Sequence, residues 1–250
     1  MKKAKLLLVF MAASMLCHSQ EFGKEEKENK ARLARLKVKC CTVFQSNYQY
    51  FYGKQQLGKE FKASSTKLNK AGDIVEDIGY NERGTIESWV KYGRDKNGTY
   101  TSVSTHNSSG TVITKATCKN KYDSLDRLTA TLMYQDTSLI YKTNYWYDSL
   151  GRMEQSDNHR FITKFVLESY EKRFYDANGR TIRIEYYDNT GNYKSREEWK
   201  YDSNGRTAEK TAHYISVYKY AANGLITEHT DYGENDTPVA KYRYVYEFIQ

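Results

Sequence analysis

The chain has 250 residues, of which 39% are hydrophobic, with a formal net charge of +8, 24 tyrosines, three tryptophans and one proline. Scarce aliphatics and abundant tyrosine exclude a deep, dry core and point to thin layers, where a ring is buried while its hydroxyl stays hydrogen-bonded. Without the leader at residues 1–19, 36 basic residues face 31 acidic ones, and a net +5 is too mild a charge to argue for a nucleic-acid partner.

The N-terminus reads as an export signal. Met1-Lys2-Lys3-Ala4-Lys5 is basic, Leu6 to Leu16 is apolar, and Cys17-His18-Ser19 ends in a small residue. This apolar run is too short to span a bilayer as a helix, so residues 1–19 form a signal peptide. Cys17 offers a second route, lipidation after lipoprotein-type cleavage, although Leu16 stands where a small residue is usual. The expected address is periplasmic, outer-membrane-associated or secreted, with no transmembrane span.

Residues 20–67 form a lead-in. Glu25 to Leu36 is rich in Lys, Glu and Ala and predicts a short charged helix. Strands follow, with Val38 to Tyr52 as a candidate cap for a sheet edge. Cys40, Cys41 and, further on, Cys118 are an odd set after export, so either one bridge forms or the thiols are buried and free. Neighbouring strand residues face opposite ways, so Cys40 and Cys41 cannot both point inward.

From residue 68 to 250 the chain repeats a phrase: Tyr, Asp, two variable residues, Gly, often Arg. Call the Tyr position zero. Full copies start at Tyr147, Tyr175 and Tyr201; looser ones start at Tyr80, Tyr187 and Tyr220. Tyr122 leads a copy with Asp126 in place of Gly, and weaker copies end at Gly72, Gly98 and Gly110. Asp followed three residues later by Gly builds a type I turn closed by a bulge, because Gly takes positive φ freely. That geometry places position one opposite position five, and zero opposite six. It pairs Asp123 with Arg127, Asp148 with Arg152, Asp176 with Arg180 and Asp202 with Arg206, whereas Asp188 meets Asn192 and lacks that tie. Wide gaps after Tyr122 and Tyr147 leave room for unmarked turns near Asp136-Thr137-Ser138 and Asp157-Asn158-His159. Between turns the alternation has period two, with Ile182, Ile184 and Tyr186 on one face.

At these residues the sequence resembles the YD-repeat family of RHS proteins and teneurins. Tyr147 to Arg152 and Tyr201 to Arg206 read as full repeat cores. The resemblance implies an all-β fold: an elongated, curved antiparallel sheet of repeated hairpins with open edges. The chain lacks the length to enclose a cargo and the Pro-rich closing segment of RHS cores, so the toxin-delivery role is not carried over. Short single-module versions look like exported proteins of Bacteroidota.

No catalytic motif, metal-ligand spacing or cofactor loop stands out, and the histidines His106, His159, His213 and His229 are dispersed. The chain reads as a non-enzyme without cofactor. Its candidate binding surface is an aromatic platform of Trp89, Tyr145, Trp146, Phe174, Tyr186 and Trp199, set against the plainer reading that these rings pack the sheet. Its partner would be an envelope or surface protein, or a polysaccharide stacked on exposed rings; a hydrolase is the outlying reading. Ser124 and Ser149 lie in Asp-Ser-Leu turns that resemble Bacteroidota O-glycosylation acceptors.

Overall fold

A computed structural model of the chain describes residues 24–95 and 97–250. The leader, Cys17 included, lies outside the described residues. One helix, α1 (Lys24–Arg35), precedes seventeen strands. It has Glu25 and Glu26 in its first turn and Arg32 and Arg35 in its last, which suits the helix dipole.

The strands follow in chain order: β1 (Val38–Phe51), β2 (Lys54–Leu57), β3 (Phe61–Leu68), β4 (Ile74–Tyr80), β5 (Ile86–Arg94), β6 (Tyr100–His106), β7 (Val112–Tyr122), β8 (Leu128–Gln135) and β9 (Ser138–Tyr147). Then come β10 (Met153–Phe161), β11 (Phe165–Tyr175), β12 (Thr181–Asp188), β13 (Tyr193–Tyr201), β14 (Thr207–Thr211), β15 (Ile215–Tyr220), β16 (Ile226–Tyr232) and β17 (Pro238–Phe248). Sequential hairpins join β3 through β17. The expected open, elongated sheet is overturned. β1 carries no repeat phrase, yet it pairs antiparallel with β17 along one edge and with β3 along the other. β2 pairs with β1, and the remaining sixteen strands close into an antiparallel β-barrel. Closure removes the exposed edges that an open hairpin array would have had to protect. The segment 38–52 and the last strand, expected as edge caps, pair with one another.

All ten copies of the phrase make the expected turn. Each repeat Gly has φ between 76° and 86°, and Asp126 reaches 56° in its place. In the copy at Tyr147, the Asp148 amide donates to the Arg152 carbonyl and the Gly151 amide donates back to the Asp148 carbonyl. Asp148 Oδ1 accepts the amides of Leu150 and Arg152, and Oδ2 accepts the Arg152 guanidinium at 2.7 Å. The same ion pairs form at Asp123–Arg127, Asp176–Arg180 and Asp202–Arg206. At Asp188 the expected missing tie is supplied from two residues further on, by Lys194 at 2.8 Å. Position zero pairs with position six across a bulge, as in Tyr147 with Met153 and Tyr122 with Leu128.

Two expectations shift. An unmarked turn does fall at Asp136-Thr137, but the second lies at residues 162–164. Asp157-Asn158-His159 is inside β10, where Asn158 accepts from Thr143 and Asp157 from Gln155, so these polar groups find partners without a turn. Ile182 is exposed although Ile184 is buried, because the bulge beside Tyr175 and Thr181 inserts a residue and breaks strict alternation.

The described residues divide into two compact units, 24–27 with Val90–Arg196, and Glu28–Trp89 with Glu197–Gln250. The first unit buries Val90, Tyr100, Val103, Ala116, Cys118, Met133 and Tyr141 in one cluster and Leu128, Tyr145 and Met153 in another. Its buried Arg173 pairs with Glu171 at 3.1 Å and with helix residue Glu26 at 3.6 Å. In the second unit Leu33 and Leu36 pack against Val38, Leu68 and Leu225, and Lys30 pairs with buried Asp73. No helix among the described residues is long and apolar enough to cross a membrane.

Candidate functional site

The rings nominated from sequence do not make one platform. Tyr145 and Trp146 are neighbours on β9 and face opposite ways: Tyr145 is buried in the core and Trp146 is exposed. Phe174 lies under the Arg183 guanidinium at 4.0 Å, and Tyr186 is half-buried on β12. In the second unit Trp199 stacks with the Lys210 ammonium, and Trp89 donates its indole N–H to Glu76 at 2.8 Å. Ser124 and Ser149 stand exposed at turn tips. Cys40, Cys41 and Cys118 are free thiols, with Cys40 and Cys118 buried and Cys41 half-buried.

The repeat tyrosines are occupied structurally. Tyr147 donates its hydroxyl to the Leu128 carbonyl, Tyr175 to Met153 and Tyr220 to Thr207, at 2.6 to 2.7 Å. Arg127, Arg152 and Arg206 stack over Tyr147, Tyr175 and Tyr220 respectively. Each such Tyr therefore engages the marked hairpin before its own.

One cluster of chemically capable groups lies in the second unit. His229 is stacked on Tyr242 at 4.1 Å, bonds the Tyr244 hydroxyl through Nδ1 at 2.8 Å, and faces Asp231 at 3.5 Å. Burial lowers the imidazole's pKa, opposed by the Asp231 carboxylate. Burial pushes the Tyr242 hydroxyl up to about 12. Ser216 donates its hydroxyl to Asp231 at 2.6 Å rather than to the imidazole. Tyr218, Tyr242 and Tyr244 pack around the imidazole.

The open site is a groove of about 400 Å³ in the second unit, lined by Asn47, Gln49, Gly58, Lys59, Glu60, Phe61, Glu82, Arg83 and Gly84. Three pieces of chain build it. From β1, Asn47 donates its amide to Glu82 at 2.7 Å and accepts from Gln45 at 2.7 Å. From the β2–β3 connection, the Gly58 amide donates to the Asn47 carbonyl at 2.8 Å. A Cβ on Gly58 would lie 2.9 Å from that oxygen, so the close approach of the two strands requires glycine. From the β4–β5 turn, Asn81 Oδ1 accepts the amides of Arg83 and Thr85, which fixes Glu82 and Arg83 on a rigid bend.

The electrostatics are equally fixed. Arg243 grips Glu60 with two bonds of 2.9 and 2.6 Å, and its guanidinium stacks over Phe44 at 4.4 Å. The Arg243 hydrogen bond holds the Glu60 carboxyl below the usual carboxylate range. The groove thus presents carboxylates, amides, a guanidinium, an ammonium and Phe61 in its lining. Sequence reasoning missed these residues. One signal was available: the Tyr80 copy is the one whose two variable positions, Glu82 and Arg83, are both charged.

Beside the groove a hairpin arm leaves the barrel. Residues beyond Asn47 on β1 pair only with β2, from Tyr48–Leu57 to Phe51–Lys54. Tyr52 and Gly53 turn it with positive φ at both residues.

No protein-family model matches the sequence, and no curated protein matches it. Several solved structures are similar to it at low scores. The Tc holotoxin pore of Photorhabdus luminescens is 12% identical, with a TM-score of 0.29 over 77% of this chain. This chain spans only 12% of that one. A porin-like protein from Bacteroides uniformis is 9% identical with a TM-score of 0.37, covering 84% of this chain and 98% of that one. A putative outer membrane lipoprotein-sorting protein domain from Vibrio parahaemolyticus is 11% identical with a TM-score of 0.26, covering 90% and 92%. At these scores the likenesses place the chain in no family.

Proposed function

We propose that this chain is an exported, non-catalytic binding module of the cell envelope, and that it holds a hydroxyl-rich ligand, an oligosaccharide segment, in the polar groove of the second unit. The observation that carries the reading is the groove's fixed set of planar polar groups around one ring. Asn47, Gln49, Glu82 and Arg83 offer paired donors and acceptors of the kind that neighbouring sugar hydroxyls satisfy, and Phe61 offers an apolar face for a sugar ring. The basic leader supports export. Glu60 is held below the usual carboxylate range by Arg243, so it is not poised as a general acid.

An envelope protein bound through an aromatic sheet face is the competing reading from sequence. It is disfavoured because the nominated rings are dispersed and partly buried. A glycan array followed by calorimetric titration of the best oligosaccharide tests the proposal. Binding should fall about ten-fold in Asn47→Ala and Glu82→Ala, as for loss of one good hydrogen bond to a charged group. No glycan signal, or binding unchanged in both variants, would remove the carbohydrate reading.

A further inference from the structure

We infer that the hairpin arm, Tyr48 to Leu57, anchors the protein to the surface of an anionic lipid bilayer. The inference is independent of what the groove binds.

The arm carries exposed aromatic rings at its tip. Tyr52 at its apex is fully exposed, Tyr50 is 67% exposed and Phe51 50%. Leu57, at the arm's base, is 47% exposed. On the barrel, Tyr147, Tyr175 and Tyr220 instead bond their hydroxyls to backbone carbonyls. The arm touches the barrel through Gln55, which donates to the Pro238 carbonyl at 2.6 Å, but the three exposed rings at its tip remain an apolar surface that a partner would cover.

The arrangement of the rings selects the partner. In the arm's ladder Tyr50 lies opposite Gln55, and Phe51 lies opposite Lys54. Successive strand residues face opposite ways, so Tyr50 is on one face, Phe51 on the other and Tyr52 at the apex. A protein surface would cover one face and leave the other ring in water. A medium that surrounds the tip covers all three, and the bilayer interface is such a medium. Tyrosine is favoured there because its ring is apolar and its hydroxyl reaches the headgroups.

Length and charge agree. Four residues from Tyr48 to Tyr52 extend the tip roughly 13 Å beyond its base at about 3.3 Å each. That reach carries Phe51 and Tyr52 to the boundary between headgroups and acyl chains, about 5–10 Å deep. Tyr48 to Leu57 contains no acidic residue and one base, Lys54, with Lys59 just beyond. Both lysines are exposed, and Lys54, opposite Phe51 at the tip, is the one in reach of headgroup phosphates.

The test is co-sedimentation of the full exported chain with phosphatidylcholine vesicles containing a quarter phosphatidylglycerol. The wild type should pellet with lipid, and a triple variant, Tyr50→Ser, Phe51→Ser and Tyr52→Asn, should partition at least about ten-fold more weakly. Its melting temperature should be unchanged, because the arm lies outside the barrel ladder. Lys54→Glu, which keeps every ring, should weaken binding to the anionic vesicles while leaving binding to pure phosphatidylcholine as it was. A wild type that stays in the supernatant at every lipid concentration overturns the inference, and the arm is then a protein-docking element. A folded triple variant that pellets like the wild type overturns it as well.

Discussion

Tyr147 donates its hydroxyl to the Leu128 carbonyl at 2.7 Å, joining one marked hairpin to the marked hairpin before it. Arg127, from that earlier hairpin, covers the same ring at 4.8 Å while its guanidinium holds Asp123. One arginine thus closes its own turn and clasps the next. Tyr175 repeats the arrangement on Met153 and Arg152, and Tyr220 on Thr207 and Arg206. The phrase is a staple between hairpins as well as a turn.

This relationship separates hydroxyl from ring. Tyr175→Phe keeps the ring and leaves the Met153 carbonyl without its donor, which should cost about 1 kcal/mol. Tyr175→Ala removes the ring too and should cost about 3–5 kcal/mol. Urea denaturation of the two variants checks the order. Equal losses would mean that the ring contributes nothing beyond its hydroxyl.

Asp126 occupies a glycine position at φ 56°, a conformation that costs a side chain more than it costs glycine. Asp126→Gly should therefore stabilise the protein, by up to about 1 kcal/mol after the extra freedom of the unfolded chain is counted. Gly179→Ala is the converse. Its added Cβ would meet nothing within 4 Å, so any loss, about 1–2 kcal/mol, is backbone strain at φ 79°. Thermal melts of both variants give the signs.

His229 makes stability depend on pH. Burial lowers its folded pKa, opposed by Asp231, with Tyr218, Tyr242 and Tyr244 packed around the ring. The unfolded chain, with a pKa of about 6.5, then binds a proton that the folded chain refuses. The contribution is fully present above that value and is lost as pH falls towards the depressed folded pKa. Melting temperature should fall more steeply between pH 7.5 and 5.5 in the wild type than in His229→Gln. Parallel slopes would contradict this.

Cys118 lies in the core beside Ala116 and Met133, and burial pushes its thiol up to about 12. Cys41 is pushed up to about 11, again by burial. Both should resist iodoacetamide in the native protein and react once it is unfolded, because the thiolate is the nucleophile. Peptide mapping after labelling at pH 8 reads this directly. Rapid native labelling of Cys118 would show that its cover opens.

The turns were legible because their chemistry is local. Asp, Gly and Arg at fixed offsets specify a bend, a register and an ion pair without reference to anything distant. Closure of the barrel was not legible, because it depends on β1, whose residues carry no phrase and whose partners, β17 and β3, lie far away in sequence. The groove was hidden for the same reason: Asn47, Gly58 and Glu82 come from three separate pieces of chain. Tyrosine content suggested an exposed platform, yet Tyr147, Tyr175 and Tyr220 serve as staples between hairpins. The strongest aromatic exposure falls instead on Tyr52 and Tyr50, in the lead-in that the repeats do not reach.

The central claim is that the repeated phrase is architecture and that binding belongs to the groove. Its most direct test measures ligand affinity and unfolding free energy together on Tyr175→Phe and Asn47→Ala. The account predicts that Tyr175→Phe loses stability and keeps the affinity of the wild type, while Asn47→Ala loses affinity at little cost in stability. Loss of affinity in a fully stable Tyr175→Phe would contradict it.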